Sequence, residues 1–200
     1  MLVPYSPTWP LVFQDLRQEL LPAFAGVPIE IMHVGSTSVP GLAAKPVIDL
    51  LLGAPTLAKI EARIADIVSL GYTYRPHYEA AIPRRRYFVK DITGDLRIHL
   101  HCVEQGGRLW REHLHFRDLL RDDDARRSEY EALKRRLAIV HADDKAAYTL
   151  EKGVYIRSLL SSLEDQRFQQ CGKTTKKQLR TPIDLSPTTS GRHCREGCEK

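Results

Sequence analysis

The sequence predicts an α+β fold, with a sheet core over about residues 29–103 and a helical part over about residues 108–163. Three observations predict it. Short runs rich in branched and apolar residues, each bounded by Gly, Pro or Thr, fall between residues 29 and 103. Within Arg97-Ile98-His99-Leu100-His101-Cys102 polar and apolar residues alternate strictly, which is the period of a strand. From Arg108 onward the apolar spacing is that of helices, and Asp122-Asp123-Asp124 and Asp143-Asp144 put acidic groups where a helix start favours them.

The elements follow in order. Residues 9–24 carry Leu11, Val12, Leu16, Leu20 and Leu21 at helical spacing, with Thr8 as an N-cap and Pro10 in the tolerant first turn. Residues 29–34 read as a strand, and residues 46–52 as a second, apolar on both faces and therefore buried. Residues 53–56 read as a turn. Leu57, Ile60, Ile64, Ile67 and Val68 predict a helix over residues 57–70, with Gly71 as its C-cap. A short strand over 72–75 and a loop over 77–83 precede two strands, 85–91 and 96–103, joined by the hairpin signal Ile92-Thr93-Gly94-Asp95. Helices over 108–120, 124–141 and 143–163 complete the body. From Glu164 the composition shifts to Gln, Lys, Thr, Pro, Ser and Gly, too poor in large apolar groups to pack, and a disordered basic tail is expected over 164–200.

Composition limits the function classes. A hydrophobic share of 42% supports an ordinary core. The net charge of +5 belongs largely to the tail, which has eight Lys/Arg against five Asp/Glu; the body holds 22 against 20, so bulk charge gives no argument for a nucleic-acid partner. No apolar run approaches the roughly 20 residues of a membrane helix. The amino-terminal residues lack the basic-then-apolar pattern of a secretory signal. Cys102 is the body's single cysteine and cannot form a disulfide within it, whereas Cys171, Cys194 and Cys198 lie in the tail at spacings too irregular for a zinc site. A cytoplasmic location is expected. Oligomeric state is not legible.

The chemistry concentrates between His33 and Leu52. Gly35-Ser36-Thr37-Ser38 follows a strand, a setting in which backbone N–H groups and hydroxyls hold phosphate; a plain turn with a capping hydroxyl is the other reading. The Gly-Lys-Ser/Thr ending of a P-loop is absent. Asp49 is an ionisable group inside Val47-Ile48-Asp49-Leu50-Leu51-Leu52, and a carboxylate among apolar neighbours needs a partner. A phosphate grip followed by a carboxylate on the next strand is how metal–nucleotide sites are assembled. Lys45 can serve phosphate or pair with Asp49. His99 and His101 share one strand face, which suits joint metal binding or a polar solvent-facing stripe. In Arg84-Arg85-Arg86 either Arg85 or Arg86 can face a phosphate, against the alternative of a solvated basic edge. His33 reads as a structural histidine. So do His113 and His115, which two apart on a helix cannot share a face. No serine– or cysteine–histidine nucleophile set emerges, so an acyl hydrolase is not expected.

The run from His33 through Asp49, HVGSTSVPGLAAKPVID, resembles the signature of the GrpB family, a branch of the nucleotidyltransferase superfamily. Val3-Pro4-Tyr5 with Trp9-Pro10, Arg85-Arg86-Tyr87-Phe88, His99-Leu100-His101 and Ala142-Asp143-Asp144-Lys145 with Ala147-Tyr148 also match it, so the resemblance covers about residues 2–163. It implies a nucleotidyltransferase-like mixed β-sheet core with flanking helices and a helical C-terminal part. It further implies a nucleoside triphosphate or related phosphorylated small molecule as ligand, gripped by Gly35 and Ser36; Thr37, Lys45, Arg85 and Arg86 join them as phosphate-binding candidates on residue chemistry alone. Asp49 becomes the catalytic residue and first metal ligand. The second acid of the superfamily falls at Leu51, which cannot bind metal, and the strand expected to give a third acid presents His99 and His101. One aspartate with two histidines makes a poor Mg²⁺ site and a fair one for Mn²⁺ or Zn²⁺. Nucleotidyl transfer and non-catalytic ligand binding on the same fold are both left open.

Overall fold

A computed structural model describes residues 2–92 and 96–178, with side chains described as far as residue 161. Residues 1–161 form one compact unit. Helix α1 (Trp9–Leu20) runs into a 3₁₀ turn over Leu21–Phe24, because Pro22 has no N–H to continue the helical ladder. Strands β1 (Glu30–Val34) and β2 (Val47–Ala54) follow, then α2 (Leu57–Glu61), α3 (Ile64–Ser69), β3 (Thr73–Tyr74), β4 (Arg85–Asp91) and β5 (Arg97–Glu104). Helices α4 (Arg108–Asp122), α5 (Asp124–Val140) and α6 (Lys145–Gln178) complete the order.

The five strands form one mixed sheet in the order β1-β2-β5-β4-β3. The β2–β5 pair is parallel and the others antiparallel. The α+β class and the helical second half are as the sequence predicts. Three details differ from that prediction. Strand β2 takes in Gly53, assigned to a turn from sequence; a Cβ at that position would come within 2.7 Å of the Trp110 ring, so this glycine serves packing. The helix expected over 57–70 breaks where Arg63 leaves helical geometry (φ −113°, ψ 7°) and donates to Ala25 O at 3.3 Å. Helix α6 continues to Gln178, past the point where a disordered tail was expected to begin. The hairpin residues 93–95 and the tail from 179 lie outside the described residues.

The two sheet faces bury different things. On one, Trp9, Phe13, Leu16 and Leu20 from α1 meet Ile48, Leu50 and Leu52 of β2, Ile98 and Leu100 of β5, and Phe88 of β4, closed at the side by Ile60, Ile67 and Tyr72. The α1 residues recur three and four apart, so they form one stripe. On the other face Val34, Leu51 and Val103 pack under Trp110 of α4. A third cluster joins Val39 and Leu42, after the 35–38 turn, to Leu120 of α4 and Tyr130 of α5. The helical half therefore sits on the face that carries the polar residues of β2 and β5.

Candidate functional site

Strand register assembles the site. In the parallel β2–β5 pair Asp49 is opposite His99 and Leu51 opposite His101, so all four side chains share the α4 face. Asp49 Oδ1 lies 3.2 Å from His99 Nδ1 and 3.4 Å from His101 Nε2. One ligand atom from each of the three residues falls within 4.8 Å of the others. That resolves the carboxylate in the apolar run: its neighbours along the chain face the two cores, and it faces two imidazoles. Burial alone would raise its pKa, but hydrogen bonds from His101 and His99 outweigh this and hold it well below the usual carboxylate range. Burial also brings the His101 pKa down to about 4 against the pull of Asp49, so its ring is neutral at neutral pH.

Gly35 belongs to this geometry as a backbone. Its φ of +72° is left-handed, and a Cβ there would collide with Asp49 Oδ2 and stand 2.9 Å from the carboxyl carbon. Only glycine lets the turn lie against the carboxylate. The helical half then fixes the turn. Arg117 donates to His33 O (3.2 Å), Arg121 donates to Ser38 O through Nε (3.0 Å) and Nη2 (2.6 Å), and Lys134 donates to Ser36 Oγ (3.2 Å) and Ala43 O (2.5 Å).

The other expected site residues divide. Ser36 is half-buried and is approached by Lys134 and Tyr130. The Thr37 hydroxyl is not free for a ligand: buried, it donates to Val47 O at 2.9 Å and so accepts from His33 Nε2 at 3.1 Å. His33 is structural as expected, stacked on Phe13 and brought by burial to a pKa of about 4. Lys45 does not pair with Asp49 among the described residues; its Nζ lies over the Tyr148 ring, 4.2 Å from the centroid. Arg85 reaches the site edge, with Nη1 3.5 Å from His101 Nδ1 and its guanidinium over Tyr87. Arg86 is corrected. Alternation turns it to the opposite face, where Glu61 (2.5 Å) and Glu79 (3.3 Å) hold it.

Three contributors escaped the sequence reading. The His113 ring lies 5.5 Å from that of His101, although its Nδ1 is occupied by Leu109 O at 2.8 Å. Lys134 is buried beside Ser36. Lys152, on α6, lies in the electrostatic reach of Asp49 and Lys45. Their partners are up to 98 residues away in sequence, and the only local signal is a lysine set among apolar residues of a helix.

Leu51 stands fully buried under Trp110 with Val34 and Val103. The place of a second acid is therefore filled by apolar packing that α4 completes.

Residues 1–162 match the family described as GrpB protein. A Bacillus subtilis relative, UPF0157 protein YqkA, is 35% identical over 158 residues, which are 78% of this chain and 45% of that protein, so the chain spans less than half of it. The Glutamate-rich protein GrpB of Alkalihalophilus pseudofirmus is 33% identical over 168 residues, 82% of this chain and 95% of that one. The crystal structure of conserved protein GrpB from Enterococcus faecalis superposes with a TM-score of 0.73 at 29% identity, covering 84% of this chain and 99% of that chain. The matched span takes in the sheet, the 35–38 turn and the Asp49–His99–His101 group together, and the chain belongs to the GrpB family.

Proposed function

We propose that the chain binds a phosphorylated small molecule, with a nucleoside triphosphate as the leading candidate, together with a divalent metal held by Asp49, His99 and His101. The observation that carries this reading is the convergence of those three side chains beneath a Gly35–Ser36 turn whose backbone approaches the carboxylate. A nucleotidyltransferase-like ancestry fits the order of strand, Gly-Ser turn and strand aspartate.

The donor set speaks to the metal. Two imidazoles and one carboxylate suit Mn²⁺, Fe²⁺ or Zn²⁺ better than Mg²⁺, which takes oxygen ligands. When bound, such an ion neutralises charge on phosphate oxygens. The remaining work falls to the chain. Gly35 lets the turn lie against Asp49, and Ser36 offers its hydroxyl beside it. Arg85 sets the His101 tautomer: a guanidinium only donates, so Nδ1 facing it keeps its lone pair and Nε2–H points at Asp49. Holding a metal through Nε2 would require the other tautomer, with Arg85 turned away from Nδ1. Swinging from histidine to ligand phosphate is a role open to it, since its Nε is buried without a hydrogen-bond partner.

Binding without two-metal transfer is the second reading, favoured by one observation. Leu51 lies beneath Trp110, so the site has one carboxylate where two-metal catalysis clusters two or three.

Calorimetric titration with ATP, CTP, GTP and UTP, each with Mn²⁺ or Mg²⁺, tests the proposal. Binding that Mn²⁺ strengthens, and that Asp49→Ala returns to its metal-free level, is the expected result. No binding by the wild type, or a Mn²⁺ enhancement that survives Asp49→Ala, overturns it. Pyrophosphate release on adding an acceptor would favour transfer over binding alone.

A further inference from the structure

Two lysines of the helical half, Lys134 and Lys152, and Lys45 from the segment before β2 lie close to the Gly35–Ser36 turn or to one another, and they are poorly balanced. Lys45 Nζ (4.2 Å) and Lys152 Nζ (5.7 Å) both lie by the Tyr148 ring. Lys134 Nζ is 5.0 Å from the centroid of Tyr130, which itself bonds Ser36. Lys152 feels repulsion from Lys45 and attraction from Asp49, and Lys134 feels repulsion from Lys152. Against these cations the site sets one carboxylate, Asp49, already engaged by two histidines. Glu131 lies near Lys134 but is held by Arg135 (2.7 Å) and by Ala43 N (3.0 Å).

Lys134 has hydrogen-bond acceptors within the chain, in Ser36 Oγ and Ala43 O. Lys152 and Lys45 have neither an ion pair nor a side-chain hydrogen bond among the described residues. Both are half-buried; an ammonium partly removed from water without an acceptor costs stability, and like charges nearby add to that cost. Burial pushes the Lys152 ammonium to a lower pKa, and that of Lys134 down to about 7, in the direction this crowding requires. A chain that needed only packing here would do better with methionine or leucine. What relieves the arrangement is an anion carrying several charges, seated between α5, α6 and the Gly35–Ser36 turn.

We propose that Lys152, with Lys45 and Lys134, is the principal anion grip beside the Gly35–Ser36 turn, and that its ligand presents a phosphate or polyphosphate group of at least two negative charges. This rests on the reading above for the position of the ligand only. The lysines hold the anion whether or not a metal is present.

The test is calorimetric titration of the full chain with inorganic tripolyphosphate in EDTA at low salt. Wild type binds, Lys152→Gln weakens binding at least tenfold, and Lys45→Gln weakens it several-fold. In the same buffer Asp49→Asn binds as well as wild type or better, because a repelling charge is gone. The ligand-free Lys152→Met variant melts higher than wild type, as expected of a residue kept for binding; a structural lysine would give a lower melting temperature. Absence of wild-type binding in EDTA, equal binding by Lys152→Gln, or loss of binding in Asp49→Asn would each overturn the proposal. Mn²⁺ titration without an anion probes the metal reading separately, so failure of one leaves the other standing.

Discussion

On the α1 face of the sheet, Ile48, Leu50, Leu52, Ile98, Leu100 and Phe88 present only carbon to a helix that answers with Trp9, Phe13, Leu16 and Leu20. One residue along the same strands, Asp49, His99 and His101 stand on the α4 face beside Leu51 and Val103. The first face is held by area removed from water, which is non-directional and tolerant of shape. The second is held by aimed contacts: a glycine fitted against a carboxylate, two arginines on carbonyl oxygens and a buried lysine on a serine. The difference teaches that this sheet separates folding from chemistry by strand alternation, and that the chemical face depends on the helical half to be complete.

Substitutions separate the two faces. Leu51→Asp puts a carboxylate under Trp110 with no partner; it should cost about 4 kcal/mol in urea unfolding. It should also add no second metal equivalent in a Mn²⁺ titration. A stable Leu51→Asp protein binding two metals would mean the apolar packing there is not decisive. Leu50→Ala, one residue away on the α1 face, should cost about 3 kcal/mol while the folded protein keeps its wild-type metal affinity. Asp49→Ala should do the reverse, losing metal with a smaller change in stability. Gly35→Ala lies where both demands meet. Positive φ and the collision with Asp49 should cost roughly 2 to 3 kcal/mol in thermal unfolding and weaken metal binding with it.

A smaller effect concerns pH. His33 keeps an ordinary imidazole pKa of 6.5 when unfolded but resists protonation to about 4 when folded, chiefly through burial. The unfolded chain therefore binds the proton first as pH falls. Stability is full above pH 6.5 and declines toward pH 4, by about 2 kcal/mol at pH 5 from this group. His33→Gln should flatten that part of the stability–pH curve. An unchanged slope would mean that His33 is not the titrating group.

Much of this was legible in the sequence, and the rest was hidden for identifiable reasons. Alternation in Arg97–Cys102 placed His99 and His101 on one face, and the isolated charge in an apolar strand marked Asp49. Alternation should equally have separated Arg85 from Arg86, since neighbours on a strand point oppositely; only the choice between them needed the structure. Thr37 was taken for a ligand-facing hydroxyl because nothing local shows that His33 and Val47 O would occupy it. Gly53 read as a turn because its reason, the Trp110 ring, is 57 positions along the chain. Lys134 and Lys152 looked like ordinary helix lysines, since burial of a charge on a helix depends on what the helix meets. The long-range contacts that close the chemical face carry no local pattern.

The central claim is that Asp49, His99 and His101 form one metal centre. Crystals soaked in Mn²⁺ and measured for anomalous scattering test it most directly. The account predicts a peak bonded to one oxygen of Asp49 and one nitrogen of each histidine, with Arg85 withdrawn from His101, and no peak there in Asp49→Ala. A peak elsewhere with this trio unoccupied at saturating Mn²⁺, or one that survives Asp49→Ala, would contradict it.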